Sequence, residues 1–327
     1  MGGESNKQPS IHGLMLFKVK NDEEVAKKDL FSFESTDQEN LIKLISEFAP
    51  AGRSYRYSIM LINQSKDPIT EIKIRIKFPD VLELIRNSPG LVIGGVKALD
   101  KGIEQINLEF EELAEDSKRQ LNFYFTPKAL NQKGKISTNI TFVNNKDFVR
   151  VLNSEPTKIE IGKLSIMPKI IPGFHIQKFL QNSEIKKSLL SLGIGVEEHL
   201  NLLTYFHHIE RILQHFNFHL IAKDEEKKIA WFFGTDIELN EDILVIGQIV
   251  INKIEFLAAS KNHQILISLL SALNSDYRKR ILSTGVVQTS DHIYNLDCKN
   301  CGGALPYFPI QGEEITCKHC QTVQLIW

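Results

Sequence analysis

All four cysteines of the chain lie near the end of the sequence, where they form two Cys-x-x-Cys pairs. Cys298 pairs with Cys301 and Cys317 with Cys320, and 15 residues separate the pairs. Two such knuckles can each present two thiolates to one tetrahedral ion, and this spacing is typical of a four-cysteine ribbon. The pattern predicts one structural zinc ion, because four thiolates leave no open coordination position for catalysis.

Three other interpretations of the cysteines were weighed. Disulfides are disfavoured because the rest of the chain has no cysteine framework, as expected in a reducing compartment. A redox pair needs a βαβ context around one Cys-x-x-Cys, which is absent here. Iron remains the alternative to zinc. His292 and His319 are predicted to be bystanders, not ligands.

Residues 11–167 show short runs in which apolar and polar side chains alternate, a pattern typical of half-buried strands. Strands are predicted at 55–62, 69–78, 106–110, 121–125, 138–142, 148–152 and 159–161. Closely spaced strands with no helix between them predict an immunoglobulin-like β-sandwich. The segment from Asp37 to Phe48 fits either a strand or a helix, and the polar residues 1–10 are predicted to be disordered.

The pattern changes after Met167, and the stretch with Pro168 and Pro172 is interpreted as a linker. A helix is predicted over 196–216, strands at 218–222, 229–237, 243–251 and 254–259, and a helix from 264 to 273 or 281. Residues 168–285 are therefore expected to form an α+β unit whose helices cover one sheet face. Residues 286–327 are expected to form the zinc ribbon.

Composition restricts the function classes. The formal net charge of −1 gives no global signal for a polyanionic partner. No apolar run is long enough to span a bilayer, and the first residues lack the apolar stretch of a secretory signal. The chain is expected to be cytoplasmic, without direct membrane insertion.

No phosphate-binding glycine loop, dinucleotide fingerprint or nucleophile elbow occurs in the sequence. Histidines cluster in the middle of the chain, but no carboxylate or cysteine completes a ligand set there. The cluster comprises His207, His208, His215 and His219. These histidines are interpreted mainly as helix-surface residues, with an acid/base role for His208 as the alternative. The chain is predicted not to be an enzyme.

Four segments in the second unit occur in the order found in a known family: 202–216, 228–234, 241–245 and 265–273. In layout the chain resembles the appendage, or ear, of vesicle-coat subunits, namely the coatomer gamma subunit and the large clathrin-adaptor subunits. Here a C-terminal zinc ribbon is added. The resemblance implies that the second unit is the appendage platform, whose layout is shared with one half of the TATA-binding protein.

The resemblance further implies a non-enzymatic adaptor in membrane trafficking. Such appendages recruit proteins that carry short linear motifs, and the partners implied here include coat or small-GTPase machinery.

The residues themselves offer one candidate contact. Trp231 and Phe233 should share one face of a strand while Phe232 faces the other. All three rings could be core, or one could line a groove for a peptide.

A nucleic-acid-binding protein is the main alternative, because zinc ribbons and TATA-binding-protein-like units occur in transcription factors. Charge argues against it, since phosphate contacts require a basic face. Residues 291–327 contain two lysines against four carboxylates, and the strand region 229–250 contains no lysine or arginine. Nucleic acid is therefore not expected as a partner.

Overall fold

The computed structural model describes residues 41–90, 95–100, 102–195, 201–285 and 287–327. Within this part, 51% of the residues lie in β-strands, and the strand pairs are antiparallel. The same part contains three α-helices. The segment 1–10, predicted to be disordered, lies outside the described residues. None of the three helices is long and apolar enough to cross a membrane.

The first unit is a β-sandwich of two antiparallel sheets. Its strands are β1 (Ile42–Ala51), β2 (Ser54–Asn63), β3 (Ile69–Pro79), β4 (Leu82–Ser88), β5 (Val96–Asp100), β6 (Ile103–Leu113), β7 (Ser117–Pro127), β8 (Gln132–Val143), β9 (Val149–Asn153) and β10 (Thr157–Ile161). One sheet has the order β1-β2-β7-β4, and the other has the order β10-β8-β3-β6-β5, with β9 also paired to β8. The sandwich prediction is confirmed at this level, and the immunoglobulin-like topology stays a prediction.

The alternating pattern explains the sandwich core. In β3 the isoleucines Ile72, Ile74 and Ile76 are fully buried, whereas the intervening cations are exposed. The segment that fitted strand or helix is β1 from Ile42 onward. The sequence analysis predicted neither β4 nor β5. Strand β5 is exposed along its whole length, so it has no buried apolar face that a pattern could reveal.

The second unit is built on a seven-stranded antiparallel sheet. Its elements are β11 (Ile166–Pro168), α1 (Phe174–Gln181), β12 (Lys186–Ile194), α2 (Leu202–His215), β13 (His219–Asp224), β14 (Ile229–Asp236), β15 (Glu241–Val250), β16 (Lys253–Ser260), α3 (His263–Ser283) and β17 (Ile293–Asn295). The strand order is β11-β14-β15-β16-β12-β17, with β13 paired to β14. The strands predicted between 218 and 259 are confirmed as β13 to β16.

The helices cover both faces of this sheet, so the expectation of one covered face was wrong. Helices α2 and α3 bury the larger core on one face. Helix α1 packs on the other face over a smaller cluster that includes Phe233 and Leu244. The helix predicted from residue 196 begins at Leu202, where Asn201 caps it by accepting a hydrogen bond from the Thr204 backbone N–H at 3.3 Å. Residues 196–200 lie outside the described part.

The boundaries between units differ from those predicted. The sandwich ends at Ile161, and β11 already belongs to the seven-stranded sheet by pairing with β14. The stretch interpreted as a linker leads directly into α1. At the other end, β17 pairs with β12, so the ribbon proper follows Asn295.

The ribbon contains the short hairpin β18 (Glu314–Thr316) and β19 (Val323–Leu325) and has its own small core. The turn between β1 and β2 of the sandwich contacts both the second unit and the ribbon. Ser188 donates a hydrogen bond to the Gly52 carbonyl at 2.9 Å, and Nε2 of His263 lies 2.6 Å from the same oxygen. The next residue, Arg53, forms an ion pair with Asp297 of the ribbon. One turn of the sandwich therefore contacts the second unit and the ribbon.

Candidate functional site

The four cysteines predicted as ligands come together in the ribbon. Their sulfur atoms all lie within 4.8 Å of one another. The sulfurs of Cys298 and Cys320 are 3.5 Å apart, and those of Cys301 and Cys317 are 3.6 Å apart. A disulfide requires about 2.05 Å, whereas four sulfurs around a tetrahedral zinc lie about 3.8 Å apart. The cluster therefore has the donor set and the spacing of a tetrahedral metal site.

The two knuckles are held by matching backbone hydrogen bonds. The N–H of Cys298 donates to the Gly303 carbonyl at 2.8 Å, and the N–H of Cys317 donates to the Thr322 carbonyl at 2.9 Å. Backbone N–H groups also point at sulfur, from Gly303 to Cys301 and from His319 to Cys317, each at 3.4 Å. Such donors stabilise thiolate charge, and they exist because each chain segment folds back tightly on its own cysteine pair.

Gly302 and Gly303 follow the first cysteine pair and allow the tight turn of this knuckle. Gly302 has φ of +74°, and a Cβ there would lie 2.6 Å from Nε of Arg86. A Cβ at Gly303 would overlap the ring of His319. In the second knuckle Gln321 takes the positive φ, at +60°. Neither His292 nor His319 belongs to the four-sulfur cluster.

The thiols differ in their surroundings. Burial raises the pKa of Cys298 and raises the pKa of Cys301 to about 12. Hydrogen bonding with Thr322 lowers the pKa of Cys320 to about 6. Buried thiols resist ionisation unless a cation stabilises the charged form, and a metal ion that these four sulfur atoms could hold would supply that charge.

The ribbon rests on the seven-stranded sheet through an aromatic stack. Gly193 of β12 has no side chain, and a Cβ there would overlap the ring of Phe308. Phe308 stacks with Tyr294 and with Trp327, with ring centroids 5.9 and 5.3 Å away. The centroids of Tyr294 and Trp327 also lie 5.9 Å apart, so the three rings contact one another. Asn252 donates to the Phe308 carbonyl at 2.7 Å and accepts from its N–H at 3.1 Å. These contacts fix the ribbon at one end of the sheet.

A buried ion pair lies beneath this contact. Lys253 donates to Glu255 at 2.7 Å and to the Leu305 carbonyl of the ribbon at 3.1 Å. Glu255 also accepts from Ser191 at 3.2 Å and from Gln248 at 2.8 Å. Both charged side chains are 7% exposed. The carboxylate is thus fully partnered, as a buried charge requires.

The predicted aromatic candidates lie where strand alternation placed them. Phe232 is buried in the core under α2 and α3, whereas Phe233 belongs to the cluster under α1. Phe233 is 2% exposed and meets Phe179 of α1 edge-on at 5.4 Å. Trp231 is half-buried. A peptide could therefore touch Trp231 directly, and it would reach Phe233 only if α1 moved; the binding role of both rings stays a prediction.

Trp231 begins a row of four apolar side chains across the sheet. The strand register places Trp231 beside Ile246, Ile246 beside Leu257, and Leu257 beside Leu189. All four are half-buried, and alternation puts them on the α1 face. Three steps between strands make the row about 14 Å long, which matches about four residues of extended peptide. We name this row the α1–ribbon groove.

Covered rows flank the groove on both sides. Toward α1 the next residues along the strands are Phe233 and Leu244, which the helix covers. Toward the ribbon the next row contains Glu255, and beyond it Phe308 lies on Gly193. The groove is thus a half-exposed strip of apolar sheet between the ribbon and the cluster under α1, against which Ile246 packs. The sequence analysis did not predict this groove. Ile246, Leu257 and Leu189 lie beside Trp231 only through the strand register, which the sequence does not show.

The histidine cluster does not form a metal site. Apart from the four cysteines, no group of three or more metal-ligating side chains comes together in the described part of the chain. His208 is buried, and its Nδ1 accepts a hydrogen bond from Nε of Arg280 at 3.1 Å. Burial and the positive charge of Arg280 lower the pKa of His208. This contact links α2 to α3.

A cavity of about 640 Å³ lies between the sandwich and the ribbon. Two arginines of its lining form contacts between the units. Arg53 pairs with Asp297, while Arg86 lies 3.3 Å above the ring of Tyr124 and donates to the Asn300 carbonyl at 3.1 Å. These side chains hold the units together across the cavity.

Comparisons with known proteins do not identify a family. No protein-family model and no curated protein matches the chain. Several solved structures resemble parts of it. One is AvmM, which catalyses macrocyclization in alchivemycin A biosynthesis. AvmM is 8% identical over 37% of this chain and 91% of its own chain, with a TM-score of 0.26. A non-cellulosomal cohesin from the hyperthermophilic archaeon Archaeoglobus fulgidus is 13% identical over 33% and 82% of the two chains, with a TM-score of 0.23. BcpA, the major pilin subunit of Bacillus cereus, is 10% identical over 63% and 58%, with a TM-score of 0.28. These scores are too low to carry an argument about fold or function.

Proposed function

We propose that this chain is a non-enzymatic adaptor that binds short peptide motifs in the α1–ribbon groove, and that its four cysteines hold one structural zinc ion. The observation that carries the adaptor proposal is the row from Trp231 to Leu189. A contiguous row of half-exposed apolar side chains between two covering elements offers surface that a bound peptide could bury. The layout of sandwich and α+β sheet supports the resemblance to coat appendages and to their TATA-binding-protein-like platform.

The groove chemistry indicates the kind of peptide. A large ring at one end and aliphatic side chains along the floor favour an aromatic or large aliphatic residue. Lys187, which is exposed, lies two residues before Leu189 on the same face of β12. Glu255 on the opposite side is neutralised by Lys253. A peptide that combines an apolar anchor with an acidic residue fits this arrangement.

Zinc suits the ribbon because four thiolates at tetrahedral spacing complete its coordination shell. The ion would hold the two knuckles together and thereby keep Phe308 and Leu305 seated on the sheet. Its role is structural, since no fifth group converges on the sulfur cluster in the described part of the chain. Membrane trafficking is proposed from the coat resemblance alone, whereas a cytoplasmic location is proposed also from cysteine usage that is typical of a reducing compartment.

Selection from a random peptide library displayed on phage tests the adaptor proposal. We expect the selected peptides to contain an aromatic or large aliphatic residue near an acidic one. The substitution Trp231→Ala should weaken their binding about 30-fold, the effect of losing a central aromatic contact. Lys187→Glu should weaken binding less, through charge.

The matched control is Ile45→Ala, which truncates an apolar side chain of the sandwich that is 52% exposed. This variant should bind like the unaltered chain. If no peptide is selected, or if Ile45→Ala weakens binding as much as Trp231→Ala does, the groove proposal is wrong. Isothermal titration with the selected peptide supplies the dissociation constants.

A further inference from the structure

The outer face of the six-stranded sandwich sheet carries a row of cations along its central strand. Lys73, Arg75 and Lys77 are exposed on β3 and alternate with the buried isoleucines. Successive cations on one face of a strand are about 6.8 Å apart. None of the three forms an ion pair with another residue of the described part.

The neighbouring strands surround this row with short polar side chains. On β6 the partners of Arg75 and Lys77 are Asn107 and Gln105, and Glu109 lies beside Lys73. On β8 the partners of Lys77, Arg75 and Lys73 are Ser137, Asn139 and Thr141.

More cations extend the patch at the end where β3 finishes. Lys97 of β5 pairs with Gln105, and Lys158 of β10 pairs with Lys135 of β8. Nearby, Lys133 is neutralised by Glu160 at 2.8 Å. We name the surface centred on Lys73, Arg75 and Lys77 the basic face. It combines cations with amide and hydroxyl groups and one carboxylate, Glu109, in a chain whose net charge is −1.

We propose that the basic face docks on membrane surfaces that bear anionic lipids. Its unpaired cations complement lipid phosphate and carboxylate groups, and each contributes to such attraction within a Debye length of the bilayer. Because the three cations lie on one face of one strand, all of them can meet a membrane surface at once. This docking is peripheral and is independent of the α1–ribbon groove, which lies on the second unit.

The chemistry of the face favours lipid over nucleic acid. Proteins that bind single strands stack bases on aromatic side chains, yet the outward positions of β3, β6 and β8 that flank the row contain none. Sheets that bind the minor groove of a duplex frequently insert large apolar side chains between base steps, and the outward positions beside this row contain none. Lipid headgroups need only charge and hydrogen bonding at a plane.

Vesicle co-sedimentation tests the proposal with the full chain. Vesicles of phosphatidylcholine with about one third phosphatidylserine should bind it, and pure phosphatidylcholine vesicles should not. The combined substitution of Lys73, Arg75 and Lys77 by Glu should weaken binding about 100-fold, and high salt should weaken binding by the unaltered chain. Replacement of the same three residues by Gln should give an intermediate loss.

The matched control replaces Lys43, Lys118 and Lys146, which are exposed elsewhere on the sandwich, by Glu. It changes the net charge equally and should keep vesicle binding. Absence of binding to anionic vesicles, or equal loss in the control, would overturn the proposal. So would binding to polyuridylate RNA that is lost in the Glu variant while vesicles are ignored, because the face would then serve nucleic acid.

Discussion

Substitution of Cys298 by serine should remove the zinc ion and unfold the ribbon. Zinc contributes about 10–16 kcal/mol to structural four-ligand sites of this kind, which is more than so small a core can replace. The contacts among Tyr294, Phe308 and Trp327 should come apart, because Phe308 and Trp327 belong to the ribbon and lose their positions when it unfolds. Elemental analysis should show one zinc per chain before the change and none after it.

Trp327 reports the same event optically. The chain has two tryptophans, so in a Trp231→Phe background the fluorescence comes from Trp327 alone. Its indole N–H donates to the Pro309 carbonyl at 2.8 Å, and loss of the ribbon should shift its emission to longer wavelength.

The matched control is His319→Ala, beside the cluster, which should keep the metal. Zinc retained at one per chain in Cys298→Ser would contradict this account, and visible absorption from bound iron would assign the site to iron.

Substitution of Lys253 by alanine should cause the second large loss. It leaves the carboxylate of Glu255 buried without its cation, a change that costs about 3–5 kcal/mol. It also removes the hydrogen bond to the Leu305 carbonyl, so the ribbon loses one of its anchors. The melting temperature should fall by roughly 10 °C.

The exposed pair of Lys133 and Glu160 supplies the control. Their side chains are 77% and 70% exposed, so Lys133→Ala should cost at most about 1 kcal/mol. Replacing both buried partners, as Lys253→Met with Glu255→Leu, should restore most of the lost stability because no charge is then left unpaired. If Lys253→Ala melted at the same temperature as Lys133→Ala, the buried pair would not stabilise the junction.

Local patterns in the sequence predicted much of the fold. Alternation identified β2 and β3, and helical periodicity identified α2 and α3, because each of these elements buries one face and exposes the other. The cysteine ligands could also be predicted, since their spacing alone encodes two knuckles. These features depend on residues near one another in the chain.

Features that depend on distant contacts could not be predicted in this way. In β12 the residues from Leu190 onward are buried on both sides, so the strand has no alternation to detect. Helix α1 is short and has no buried residue, and the prolines at 168 and 172, which precede it, suggested a linker. The α1–ribbon groove combines residues from β12, β14, β15 and β16. The groove depends on the register of these strands and on the positions at which α1 and the ribbon pack on the sheet. No single segment of the sequence determines either of them.

The most direct measurement of the central claim is methyl NMR of the isoleucine- and leucine-labelled chain during titration with a selected peptide. We expect the largest shifts at Ile246, Leu257 and Leu189, with little change at Ile45 of the sandwich. Shifts confined to the sandwich, or a saturating peptide that leaves those three methyl groups unchanged, would contradict the assignment of the groove as the binding site.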